Sequence, residues 1–196
     1  MIPKIIHQIW IGDAPPDMIL RAMESIRRKH QDFDYRLWTN GDFDLTNFDP
    51  MAPRAFIVNI LRCQVLCEHG GIYIDADTHA HGSLHDFPAE FWTARLATAT
   101  NPGSIYRANN ALIACSPGYN FSEFIARYVP ESVSVPAWNT FLTGKDVYAV
   151  PETMYGTKSW VLRDLKLGSW CTKKKETYND VQNVHYKEEK RADKGW

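Results

Sequence analysis

Apolar positions along the chain change period several times, and each change marks an element. Residues 4–11, KIIHQIWI, form an isoleucine-rich run closed by Gly12-Asp13, which predicts a β-strand. Pro15-Pro16-Asp17 then opens a segment in which Ile19, Ala22, Met23 and Ile26 recur at helical spacing, predicting a helix to about His30. Residues 35–39, YRLWT, predict a second strand stopped by Asn40-Gly41, and the polar stretch 42–49 reads as a loop. A second helix is expected over 53–69, with proline near its start and Gly70 just past its end. Residues 71–75, GIYID, predict a third strand, with shorter ones near 94–99, 110–115 and 147–150 and a short helix from about Ser122. Strands alternating with helices argue for an α/β fold around a mainly parallel central sheet.

Composition bounds the partners. The 196 residues are 44% hydrophobic and 13% aromatic, enough to bury a substantial core in one compact domain, and no repeat or linker divides residues 1–196. A net charge of −1 gives no general attraction to nucleic acid or to a membrane surface. The N-terminal apolar run is short and contains His7 and Gln8, so it reads as a strand rather than a signal sequence or membrane span, and the expected location is cytoplasmic. Cys63, Cys67, Cys115 and Cys171 form no CxxC pair and are expected to be reduced. The last quarter is polar, with Lys173-Lys174-Lys175 and then YKEEKRADKGW, the composition of a solvated tail.

Three Asp-x-Asp pairs occur: Asp32/Asp34, Asp42/Asp44 and Asp75/Asp77. The first two lie in polar surroundings. The third ends an apolar strand, and in open α/β sheets ligands bind beyond the carboxyl ends of strands. On a continuing strand the two carboxylates would share a face roughly 7 Å apart, one for a divalent cation and one for a second ligand. Hard oxygen ligands select Mg²⁺ or Mn²⁺, which commonly bridge to phosphates. Arg62 stands among Ile60, Leu61, Val65 and Leu66, where a guanidinium needs an anion: a phosphate, or the aspartate pair itself. Asn59 shares its helix face. His79, His81 and His85 form H-x-H-x₃-H, which leaves open a zinc-dependent hydrolase built on His79 and His81.

The segments IPKIIHQIWIG (2–12), YRLW (35–38) and NILRCQVLCEHGGIYIDAD (59–77), in this order and spacing, resemble the DXD glycosyltransferases of glycosyltransferase family 32. That family includes initiating α-1,6-mannosyltransferases and capsular-polysaccharide transferases, and clostridial glucosylating toxins have a similar core. The likeness is strongest over residues 1–85. It implies a GT-A-type domain that moves a sugar from a UDP- or GDP-sugar to a glycan or other hydroxyl acceptor, with Mn²⁺ or Mg²⁺ and with retention, as in polysaccharide biosynthesis. Residues 1–100 would form the nucleotide and metal half, and 101–196 the acceptor side. The resemblance implies that Trp10, flanked by Gln8 and Ile9, lines the nucleotide site. It implies that Arg62 reaches the sugar or diphosphate, that Tyr73 lies near the ribose, that Asp75 meets sugar and ribose hydroxyls, and that Asp77 ligates the metal. Asn109 and Asn110 match a segment near donor and acceptor, and Val184-His185-Tyr186 matches a terminal motif that would add His185 to the metal site. One departure stands out: Asn59 occupies a position where relatives carry an acid that acts on the donor sugar. A protein of this fold that binds a nucleotide-sugar or glycan without turnover is therefore a further reading.

Overall fold

The computed structural model describes residues 1–84, 90–95, 108–131, 141–142, 148–150 and 162–164. The chain alternates strands and helices from its start: β1 (Ile5–Ile9), α1 (Asp17–Lys29), β2 (Asp34–Trp38), a 3₁₀ turn (Asn40–Asp42), α2 (Arg54–His69) and β3 (Gly71–Ile74). Then follow β4 (Thr78–Ala80), β5 (Phe91–Arg95), β6 (Ala108–Cys115), α3 (Ser122–Glu131), β7 (Tyr148–Val150) and β8 (Leu162–Asp164). In α1 the apolar residues at helical spacing, Met18, Ile19, Ala22, Met23 and Ile26, are buried together with Ser25, and Arg27, Arg28 and Lys29 complement the dipole at its end. All four residues of β3 are buried, as befits a central strand covered on both faces. No helix among the described residues is long and apolar enough to cross a membrane.

Six strands form the main sheet in the order β2-β1-β3-β6-β5-β7. β1 runs parallel to β2 and β3, and β5 parallel to β7, while β6 is antiparallel to both its neighbours. β6 alone is therefore reversed. The chain passes from β1 outward to β2, then returns to the opposite side of β1 as β3. That change of direction opens a crevice at the carboxyl ends of β1 and β3. Of the strand expected at 94–99, residues 94 and 95 end β5, which starts earlier at Phe91 with Phe91, Trp92 and Thr93 buried, and 96–99 lie outside the described residues. β4 and β8, three residues each, pair as a separate antiparallel ribbon that the sequence pattern did not suggest.

The two glycines between α2 and β3 are required by close approach. Gly70 has φ of 62°, and a Cβ there would sit 2.6 Å from Pro117; Gly71 has φ of 90°, and its Cβ would sit 2.7 Å from the Ile5 carbonyl oxygen. His7 is buried beside them. The Trp38 indole N–H donates to His7 Nδ1 (3.1 Å), so the ring proton is on Nε2, which donates to the Gly70 carbonyl (2.9 Å). Burial pushes the His7 pKa down to about 4, against an ordinary value of 6.5. The unfolded chain thus binds a proton that the folded chain refuses. His7 stabilises the fold fully above its unfolded pKa, and that contribution disappears as pH falls toward about 4. Chemical denaturation should register a loss of about 2 kcal/mol from this group between about pH 7.5 and about pH 5.

Candidate active site

Asp75 and Asp77 lie where the crevice opens, but on a turn. β3 ends at Ile74, and the Thr78 N–H donates to the Asp75 carbonyl at 3.1 Å, closing a turn over Ala76 and Asp77. The two carboxylates are therefore spaced by turn geometry, and the strand-face spacing expected for them does not apply. The other two Asp-x-Asp pairs have local partners. Asp32 meets Lys4, Asp34 meets Arg36, Asp42 caps the 3₁₀ turn at Thr39, and Asp44 accepts from Thr46.

Arg62 comes from the buried face of α2 to the same point. Its NH2 group lies 3.2 Å from Asp75 Oδ1, and the Tyr73 hydroxyl donates to that same oxygen at 2.8 Å. The guanidinium lies 4.4 Å from the centre of the Tyr73 ring, a cation–π contact, and its NH1 group donates to the Asn110 carbonyl. Nε reaches the Val58 carbonyl at 3.4 Å. Arg62 has 6% of its side chain exposed and Asp75 has 30%, so the carboxylate faces the crevice and the arginine stands behind it. Burial works against the guanidinium's charge, and the Asp75 carboxylate beside it offsets this and keeps it protonated. Burial also pushes the Tyr73 pKa well up, so the phenol stays a hydrogen-bond donor. The anion that Arg62 requires thus comes from the protein itself, which was one of the two expectations for it. Three contacts on five N–H groups leave two of them without a partner among the described residues.

The remaining expected residues fall around this knot. Gln8 is buried: its amide donates to the Asp75 carbonyl at 3.1 Å and accepts from the Tyr35 hydroxyl at 2.7 Å. The Trp10 ring packs with Met18, Ile19, Met23 and Ala76, the middle residue of the DXD turn, and its N–H donates to the Asp13 carbonyl. The Ile9 side chain points into the core with Ile57, Ile60 and Leu61. Asn59 donates to the Tyr128 hydroxyl at 2.9 Å and accepts from the Asn110 amide at 2.8 Å. Asn109 lies in β6 next to Asn110, and its side chain is outside the described set. His185, His85 and Cys171 lie outside the described residues, as do 173–175 and the tail beyond them. Tyr35 and Tyr128 join the site with no sequence signal. Each is an aromatic residue in an amphipathic element, and only its long-range partner marks it.

The donor set fits a hard divalent cation. One oxygen of Asp75 is taken by Tyr73 and Arg62, whereas half-buried Asp77 lies in the turn beside it. Among the described residues no group of three or more His, Cys, Asp or Glu side chains gathers that could hold a metal. Mg²⁺ and Mn²⁺ typically take only one or two carboxylates and fill their shells with phosphate and water oxygens. His79 and His81 lie with ring centres 4.7 Å apart, but no third ligand joins them among the described residues, so the zinc alternative gains no ligand set there.

Residues 16–94 match the family model described as the glycosyltransferase sugar-binding region containing a DXD motif. Inositol phosphoceramide mannosyltransferase 3 of Schizosaccharomyces pombe is 29% identical over 142 residues, covering 66% of this chain and 37% of the relative. An uncharacterized glycosyltransferase of Acanthamoeba polyphaga mimivirus is 31% identical over 100 residues, covering 44% of this chain and 40% of the relative. The chain thus spans about two fifths of the length of these relatives. Among solved structures, the PaToxG glycosyltransferase aligns with a TM-score of 0.54 and 18% identity, covering 74% of this chain and 71% of that one. A glycosyltransferase involved in glycosylation of the major capsid of PBCV-1 aligns with a TM-score of 0.50 and 12% identity, covering 89% and 98%. These two likenesses concern the fold, a GT-A-type α/β sheet.

Proposed function

We propose that this chain, whose residues 16–94 match the model of a glycosyltransferase sugar-binding region containing a DXD motif, moves a sugar from a nucleotide-sugar to a hydroxyl acceptor, with retention. The observation that carries this reading is the Tyr73–Asp75–Arg62 knot at the mouth of the β1/β3 crevice, with Asp77 in the adjoining turn. Asp77 would hold a divalent cation, Mn²⁺ or Mg²⁺, directly or through water. When bound, the cation supplies positive charge beside the donor diphosphate, where negative charge builds as the sugar leaves.

The chain's own groups then divide the remaining work. Arg62 turns its two uncommitted N–H groups to the diphosphate or the sugar. The free oxygen of Asp75 accepts hydrogen bonds from sugar or ribose hydroxyls. The Trp10 ring, seated on Ala76, gives the nucleotide an apolar wall, and the Gln8 amide fixes the Asp75 backbone. Since the fission yeast relative is named for mannose transfer, GDP-mannose heads the donor series, followed by the UDP-hexoses and UDP-N-acetylhexosamines.

The reading is tested by incubating the protein with each nucleotide-sugar and Mn²⁺ or Mg²⁺ and measuring nucleoside diphosphate release. One donor should be consumed, and chelation should stop its consumption. Donor binding without release in either metal would replace the transferase by a binding protein of the same fold.

A further inference from the structure

Behind Arg62 lies a buried polar chain. β6 bulges here. Thr93 of β5 pairs with Ile113, but the next residue, Ala94, pairs with Asn109, so residues 110–112 of β6 have no opposite number in β5. The bulge turns Asn110 toward α2. Its carbonyl receives the Arg62 guanidinium, and its side-chain amide donates to Asn59 Oδ1 at 2.8 Å. Asn59 in turn donates to the Tyr128 hydroxyl at 2.9 Å. Asn59, Arg62, Asn110 and Tyr128 are all buried. The Tyr128 ring, in α3, is stacked with Phe56 at 5.0 Å and with Phe124 at 5.4 Å. The phenol oxygen is therefore a fixed point, and two neutral amides connect it to the carbonyl that grips the arginine.

We propose that Tyr128 is a positioning residue, acting through Asn59 and Asn110 to set where the Arg62 guanidinium stands behind Asp75. Every link is uncharged. The relay orients the arginine without adding an anion that would compete with Asp75 for it, and so leaves its remaining N–H groups to a ligand. Asn59, on this view, faces the protein and serves the cation three residues along its own helix. The physical content is narrow: removing one oxygen in α3 should displace a guanidinium on α2 that it does not touch.

The kinetic arm of the test rests on the transferase reading, and the spectroscopic arm does not. In ¹⁵N-arginine-labelled protein, the Arg62 Nε–H resonance, identified by its loss in Arg62→Lys, should shift in Tyr128→Phe, which keeps both ring stacks. Asn59→Ser, which breaks the next link, should shift it in the same way and serves if Tyr128→Phe does not fold. In turnover, Tyr128→Phe should lower kcat about tenfold while the donor KM stays within about twofold. On an Arg62→Lys background the same change should cost nothing further, because the two residues act as one unit. An unmoved Arg62 resonance in a folded variant, or losses that multiply across the cycle, would overturn the relay. If the wild type consumes no donor, the transferase reading fails and the resonance alone decides.

Discussion

Arg62→Leu is expected to lower turnover by about a thousandfold and to destabilise the protein by about 2 kcal/mol. Both effects follow from one geometry. The guanidinium offsets Asp75, fills the Asn110 carbonyl and covers the Tyr73 ring. Leucine fills part of the volume but leaves a carboxylate without its cation and a backbone acceptor without its donor. Removing one member of a buried ion pair typically costs about 3–5 kcal/mol, and the figure is lower here because Asp75 is partly open to water. The turnover loss is the larger because charge that develops on the leaving group would meet no preorganised donor. Thermal unfolding and donor consumption measured on the same preparation check the two together. A variant that turned over at half the wild-type rate would remove Arg62 from the site.

Asp77→Ala should separate the same two quantities. Turnover is expected to fall by about a thousandfold, while stability changes by less than about 1 kcal/mol. Asp77 sits on a turn, half-buried, two residues from another carboxylate, so its removal relieves a like-charge contact as well as removing contacts of its own. A ligand that binds only the folded state raises its stability in proportion to occupancy. Wild type should therefore melt higher when Mn²⁺ and a nucleoside diphosphate are added together, and Asp77→Ala should lose most of that rise. An undiminished rise in the variant would place the cation on other residues.

What could be read from the sequence was what depends on neighbours along the chain. The buried positions of α1, the glycine stop at Gly70 and the strand before Asp75 all follow from local pattern. Arg62's need for an anion followed from its apolar neighbours, and Asp75 meets it. The choice among three Asp-x-Asp pairs also rested on context; of the other two, Asp32 pairs with Lys4, Asp34 with Arg36, Asp42 caps at Thr39 and Asp44 accepts from Thr46. What escaped was set by competition or by distance. A single bond from Thr78 N–H to the Asp75 carbonyl ends β3 one residue early and converts an expected strand into a turn. β4 and β8 are too short to carry a period. Asn59 is held by Tyr128, 69 residues away, and by Asn110, whose direction is fixed by a bulge in the ladder. No spacing rule connects such residues. The expectation for Asn59, an amide where relatives carry an acid, came from its position on the helix, whereas its two partners in the fold come from distant elements.

The reversal of β6 carries a consequence for how such a protein diversifies. With β6 running against its neighbours, β5 ends at Arg95 and β6 begins at Ala108 on the edge of the sheet that also carries the DXD turn. The end of β5 and the start of β6 thus stand beside the crevice, while Ser116 to Asn120, after β6, depart from the opposite edge. Substitutions at Arg95 or Ala108 can thus remodel what borders the crevice without disturbing Tyr73, Asp75 or Arg62. Selection for a new acceptor has two strand ends to act on, and neither carries a residue that would hold the cation.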